Sequence, residues 1–290
     1  MSKISKIGVG IVAFEGTEHI KNITYEIREY VDEIVVCLQK VSYHNKPIEQ
    51  EDVDEVMSLV KVGLVDKVIW FEADLSYLSN KDKIPHKEYR DIPRRIETNK
   101  RNYILDVLEA DGCSHSMVID SDEFYDWADF ARATRLINDR DDIHVTYAQY
   151  INYYKDYRHY MLYPFQCFVP FMAEAKYRFE FRCNQFVKSI DPTRVYKLQD
   201  DEMYHIISWN VVKMHHFSWI RKDIRKKLDN WSSQDYFEKK KYERVFERFD
   251  NYQDWQNARV MFDIPKNEMC INKLVREYIH PHYKLTDKVV

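Results

Sequence analysis

Four apolar, β-rich runs separated by amphipathic helical stretches fill the first 120 residues, and that alternation constrains the fold more than any other feature of the chain. Residues 6–14 read as a strand, and Ile20, Ile23, Ile27 and Tyr30-Val31 mark one face of a following helix. Residues 32–38 form a continuous apolar run between polar neighbours, as expected of a strand buried on both faces of a parallel sheet. Residues 51–62 read as a second helix and 65–72 as a third strand. Residues 96–109 carry Ile104, Leu105 and Leu108 on one helical face, with Gly112 beyond them as a stop signal. The fourth strand, 116–120, ends in acid. This βαβαβαβ series predicts an α/β sandwich with a mainly parallel central sheet. No linker interrupts residues 1–235, which are expected to form one unit, and residues 236–290 are expected to add a C-terminal helical appendage.

Ligands of open α/β sheets gather beyond the carboxyl ends of the strands. There the fourth strand delivers Asp120-Ser121-Asp122-Glu123-Phe124. Magnesium and manganese prefer hard oxygen ligands and leave positions open for phosphate oxygens, so Asp-x-Asp at a strand exit points to chemistry on a diphosphate. The same string also serves as a turn or helix cap elsewhere in proteins. The other exits offer Ala13-Phe14-Glu15-Gly16-Thr17, Gln39-Lys40 and Glu72-Ala73-Asp74 to the same crevice. Gly8-Val9-Gly10 lies inside the first strand and lacks a third glycine before a helix, so it is not a dinucleotide fingerprint. With five glycines in all, the chain has no P-loop.

A formal charge of −4 argues against overall attraction to nucleic acid or anionic membrane. No stretch reaches membrane-spanning length and the N-terminus lacks a signal segment, which reads as a cytoplasmic protein. Cys37, Cys113, Cys167, Cys183 and Cys270 show no Cys-x-x-Cys spacing and read as reduced thiols. From about residue 145 a tyrosine-dense stretch (Tyr147, Tyr150, Tyr153, Tyr154, Tyr157, Tyr160, Tyr163) suggests an irregular or antiparallel part, with most rings packed between strands and a few facing a ligand.

Two further groups carry charge. Lys213-Met214-His215-His216-Phe217-Ser218-Trp219-Ile220-Arg221 reads as a strand running into a helix that bears Lys222, Arg225, Lys226 and Lys227. Imidazole can complete a coordination shell begun by distant carboxylates, and Arg or Lys can neutralise phosphate. Arg94-Arg95-Ile96-Glu97-Thr98-Asn99-Lys100-Arg101-Asn102 is expected to open the helix before the acid-tipped strand, at an N-terminus favourable to anions.

The order of these parts over residues 5 to 235 resembles the GT-A-fold, family 2-like, nucleotide-sugar-dependent glycosyltransferases, including phage types: a short polar loop after strand one, a Lys-Arg-Asn helix, an Ile-Asp-Ser-Asp-Glu-Phe strand end, and His-Phe-Ser-Trp-Ile-Arg. The resemblance implies a Rossmann-like GT-A sandwich in which Asp120 and Asp122 hold Mn2+ or Mg2+ on the donor diphosphate, Asp122 being the stronger ligand. His216 would complete the metal site, His215 remaining open because adjacent strand residues face opposite ways. Phe14, Glu15, Asn99 and Arg101 are donor-binding candidates for the nucleoside and its phosphates, and Lys226 and Lys227 for the diphosphate. The implied donor is a nucleotide-diphosphate sugar, foremost a UDP-sugar, and the acceptor hydroxyl belongs to a glycan or, given the basic run 221–227, a hydroxymethylated base in phage DNA. Inversion needs a carboxylate base. Glu174, Asp201 and Glu202 are the candidates. A sugar-phosphate nucleotidyltransferase, which would show a glycine-rich basic loop after strand one, and a catalytically inactive binding module are the alternatives. His280 and His282 fall in the C-terminal segment.

Overall fold

The computed structural model describes residues 3–154, 156–161, 168–183, 191–199 and 202–230; the expected appendage over 236–290, with Cys270, His280 and His282, lies outside the described residues, as do Cys167 and Asp201. The parallel half follows the sequence closely. Strand β1 (Ile7–Ala13), helix α1 (Ile20–Ile27), β2 (Glu33–Gln39), α2 (Gln50–Lys61), β3 (Lys67–Phe71), α3 (His86–Ala110) and β4 (His115–Asp120) succeed one another. β1 pairs in parallel with both β2 and β4, and β2 with β3. Every residue of β1 and β2 is buried, as a strand covered on both faces requires.

One expectation fails at α3. The helix starts at His86, ten residues before the apolar face that announced it, and carries Pro93 inside it. Arg94 to Asn102 therefore lie in the helix interior, where backbone N–H groups are already bonded, so no helix terminus is offered to an anion there. The Gly8-Val9-Gly10 string serves packing. A Cβ on Gly10 would lie 2.0 Å from Cγ2 of Ile104, so the absent side chain lets α3 settle on the sheet.

The second half adds β5 (Glu123–Tyr125), α4 (Trp127–Asn138), β6 (Val145–Tyr154), β7 (Asp156–Met161), β8 (Phe168–Glu174), β9 (Tyr204–Ile206), β10 (Lys213–Trp219) and α5 (Ile224–Asn230). The sheet order is β3-β2-β1-β4-β8-β6-β10-β5, with β7 and β9 also paired to β6. β8 is antiparallel to β4 and to β6, which gives the mixed character expected of this region. Only Ser121 and Asp122 separate β4 from β5 in the chain, yet three strands separate them in the pairing order. The sheet must curl back on itself to allow this, and the acidic segment sits at the seam. Tyr147 and Tyr153 are buried packing residues, and Phe217 of β10 packs tilted against Phe124 and edge-to-face against Tyr153, with centroids 4.8 and 4.9 Å apart. Among the described residues no helix is long and apolar enough to cross a membrane.

Candidate active site

The acidic turn is held on three sides. The Ser121 amide donates to the Val12 carbonyl and its hydroxyl to the Glu15 carbonyl, while the Asp122 carbonyl accepts the Phe217 amide at 2.8 Å. These bonds tie the end of β4 to the loop after β1 and to β10. A cavity of about 420 Å³ opens at this point. Its lining runs from Gln39, Ser42 and Tyr43 beyond β2, across Val12, Phe14 and Glu15 at β1, to Asp120, Asp122, His216, Arg221 and Lys227. Its size falls in the range of small-molecule sites and its place at the strands' carboxyl ends is that of α/β ligand crevices.

Each acid of the segment has its own arginine. One guanidinium nitrogen of Arg101 lies 2.7 and 2.9 Å from the two Asp120 oxygens, and Arg194 lies 3.6 Å from the same carboxylate. Arg194 also reaches both Glu123 oxygens at 2.7 and 2.8 Å. Arg221 donates to Asp122 Oδ2 at 2.5 Å, and Lys227 to the same oxygen at 2.9 Å. Burial opposes ionisation of Asp122, yet Lys227, Arg221 and His216 together hold its carboxyl well below the usual carboxylate range. For Glu123 burial wins over Arg194, and its carboxyl is pushed up. Close approach of Arg221 depends on Gly16, whose φ is 72° and where a Cβ would meet the guanidinium at 2.1 Å.

The two histidines of β10 face opposite ways. His215 is buried and shares a 2.8 Å hydrogen bond with the Tyr153 hydroxyl. His216 lines the cavity, its Nδ1 2.6 Å from Asn152 Oδ1 and its Nε2 3.5 Å from Asp122 Oδ1. Two ligands sharing one ion at about 2.1 Å each stand roughly 3.0 to 3.4 Å apart, so at 3.5 Å this pair would have to close slightly to occupy two positions of a divalent cation. Among the described residues no group of three or more His, Cys, Asp or Glu is arranged to hold a metal, so water and substrate oxygens would fill the rest of such a shell, as Mg2+ commonly permits. Asp120 lines the same cavity, its carboxylate held by Arg101 and Arg194 as Asp122 is held by Arg221 and Lys227.

Several sequence candidates lie elsewhere. Glu174 pairs in register with His115, the first residue of β4, and bonds His144 and Lys176, which places it a strand's length from Asp120. Glu202 accepts from the Tyr177 hydroxyl at 2.5 Å, two residues before β9, whose Tyr204 pairs with Val145 at that same far end. Neither carboxylate lines the cavity. Asn99 is on the exposed side of α3, and Arg101, buried against Asp120, does not line the cavity. Lys226 turns away to Asp52 and Glu49, both at 2.8 Å, and Lys40 pairs with Glu72 at the sheet edge. Of the basic run 221–227, Arg221, Lys226 and Lys227 are thus bound to acids, leaving Lys222 and Arg225 exposed rather than a continuous basic stripe. Phe14, Glu15 and Lys227 do line the cavity, where Asn230 donates to Glu15 at 2.9 Å.

The structure adds Asp191, Arg194, Lys100 and Tyr43 to the site. Asp191 Oδ1 accepts from the Thr193 amide and hydroxyl at 2.9 and 2.7 Å, and Oδ2 stands 3.4 Å from Arg194 Nε. Asp191-Pro192-Thr193-Arg194 reads locally as a turn, and nothing in its spacing announces a partner 71 residues upstream.

No protein-family model and no curated protein sequence matches this chain. Among solved structures, it is similar to the crystal structure of S. aureus TarS, at 12% identity and a TM-score of 0.37, over 70% of this chain and 37% of that one. It is likewise similar to the crystal structure of S. aureus TarS 1-349, at 11% identity and a TM-score of 0.38, over 74% of this chain and 61% of that one. The chain therefore spans less than two thirds of either.

Proposed function

We propose that this protein is a glycosyltransferase that moves a sugar from a nucleotide-diphosphate sugar, foremost a UDP-sugar, to an acceptor hydroxyl of a glycan. The observation that carries the reading is the meeting of Asp122, His216, Arg221 and Lys227 in one cleft beyond the carboxyl end of β4. In such a transfer the acceptor oxygen bonds to the anomeric carbon while the bond from that carbon to the diphosphate breaks, its electron pair leaving on the phosphate oxygen. Arg221 and Lys227 supply the positive charge that this developing anion needs, in a buried setting where charge interactions are strong. Asp122 and His216 are the residues that would hold Mn2+ or Mg2+, which supplies Lewis-acid stabilisation of the same leaving group. Asp191 is the base we assign for an inverting course. It lines the cleft, and although burial opposes its ionisation, Arg194 and Arg101 keep its carboxyl below the ordinary range, hence charged at neutral pH.

Calorimetric titration of UDP and GDP, with and without Mn2+, into wild type and Asp122→Asn tests the binding half. We expect Mn2+ to tighten wild-type binding at least about tenfold and to do nothing for the variant; no binding of either nucleotide under any condition rejects the reading. Hydrolysis of several nucleotide sugars over hours tests turnover. Binding without any hydrolysis would favour the inactive-module alternative.

A further inference from the structure

The far end of the cleft contains a buried cation that the diphosphate chemistry does not use. Lys100 of α3 is 3% exposed, and its ammonium donates to Gln39 Oε1 at 2.8 Å and to the Tyr43 hydroxyl at 3.2 Å. Gln39 is fixed in that orientation because its own Nε2 donates to the Val41 carbonyl at 2.6 Å. An ammonium has three protons to donate. Among the described residues the third has no assigned acceptor, and no carboxylate lies within ion-pair distance of Lys100. Burial lowers the Lys100 pKa against the attraction of Glu97 and Asp120, which stand beyond ion-pair distance, and burial likewise pushes the Tyr43 hydroxyl well up, so the phenol keeps its proton. Lys100, Gln39 and Tyr43 all line the cleft.

Their distance from the phosphate end is set by the sheet. Gln39 closes β2 and Asp120 closes β4, with β1 between them. Two strand spacings of about 4.8 Å put roughly 9.6 Å between the two ends, which suits a ribose and a base. Val12 and Phe14 form the floor in between.

We infer that the Lys100 ammonium and the Tyr43 hydroxyl read the exocyclic oxygen of a keto nucleobase, uracil or guanine, and select against the amino bases cytosine and adenine. This rests on the nucleotide-sugar reading above. Beyond the Lys100–Gln39 and Lys100–Tyr43 bonds, one ammonium proton and the phenol proton are without an acceptor among the described residues, so a carbonyl oxygen seated there meets donors, whereas an exocyclic amino group sets N–H against N–H and O–H. A buried donor left facing another donor loses its hydrogen bond outright and is not compensated by water.

Two nucleotide pairs differ at that exocyclic position: UDP with CDP, and GDP with ADP. Titrating all four into the full chain with Mn2+ should show each keto member binding at least about tenfold more tightly than its amino partner. In Lys100→Met the preference should shrink to about twofold or less while the diphosphates still bind, and Tyr43→Phe should erode it in part without removing the ring. Equal binding within both pairs in wild type overturns the inference and leaves the nucleotide cleft standing, as does a preference that survives Lys100→Met. A uniform loss across all four in Lys100→Met, with the preference intact, also overturns it and moves the ammonium to a phosphate. Failure of all four to bind overturns the nucleotide-sugar reading and this inference together.

Discussion

Glu123 is enclosed to 1% exposure, and its two oxygens both face Arg194, itself 5% exposed. Removing one member of a buried pair leaves the other as an uncompensated charge, which costs about 3–5 kcal/mol, whereas replacing both is far less costly. Arg194→Met should therefore lower stability by about that amount, and Glu123→Gln with Arg194→Met should recover only the part due to Glu123, because Asp120 and Asp191 also lose their arginine, as read from urea midpoints. A single-variant loss below about 1 kcal/mol would show that the pair is not buried as described. The acids of this segment were legible because they are contiguous and stop an apolar run. Their partners were not: Arg101, Arg194 and Arg221 stand 19, 71 and 99 residues from the acids they hold. No local pattern links residues so far apart; Arg101 and Arg221 read as phosphate-binding candidates rather than as partners of these acids. Glu174 and Glu202 show the same limit in reverse, since a strand's direction in the sheet, invisible in the chain, decides which end of the molecule a carboxylate reaches.

At the scale of elements, hydrophobic periodicity located β1 to β4 and the helices between them to within a few residues, except at the start of α3. Pro93 lies inside that helix, where it removes one backbone donor and signals an end rather than a middle. Tertiary packing overrides the signal: Tyr89 and Ile96 on either side of it are buried with Tyr43 and Tyr77. The contact between α3 and β1 is equally specific. A Cβ at Gly10 would stand 2.0 Å from Ile104 Cγ2, so Gly10→Ala must push the helix outward or force Ile104 from its rotamer, at a cost of about 1–3 kcal/mol. Ile104→Ala opens a cavity of its own but makes room for the new methyl. The double variant should then be more stable than the two single losses predict by addition, measured as a double-mutant cycle in urea. Strict additivity would mean that the two groups do not meet. Because Lys100 rides on the same helix, a displaced α3 would also carry that side of the cleft with it.

For the whole molecule, the α/β class and the placement of the acid turn at a strand exit followed from alternation alone, but the curl that closes β5 onto β10 did not, because it depends on which distant strands pair. That long-range closure buries ionisable groups far from the cleft as well, and it makes stability depend on pH in a definite direction. His115 opens β4 at 2% exposure; its Nδ1 lies 3.2 Å from the Ser114 hydroxyl, and its Nε2 has no hydrogen-bond partner. Burial pushes its pKa down to about 4, against an ordinary value of 6.5. Above pH 6.5 the ring is neutral whether the chain is folded or not, so it leaves stability unchanged there. Between 6.5 and 4 the unfolded chain takes up a proton that the folded chain refuses, and stability falls as pH falls through that window. The full difference amounts to about 3 kcal/mol. Asp120, Asp122 and Asp191, whose carboxyls are held low by their arginines, add their own loss only below about pH 3.8, where unfolded aspartates protonate. The histidine effect should thus come first on acidification. Between pH 7 and 4.5, wild type should lose about 2.5 kcal/mol more urea stability than His115→Gln, which keeps a neutral polar side chain at every pH. Parallel curves for the two proteins would place His115 in contact with water instead, and would mean that the start of β4 is more open than its packing against β1 and β8 implies.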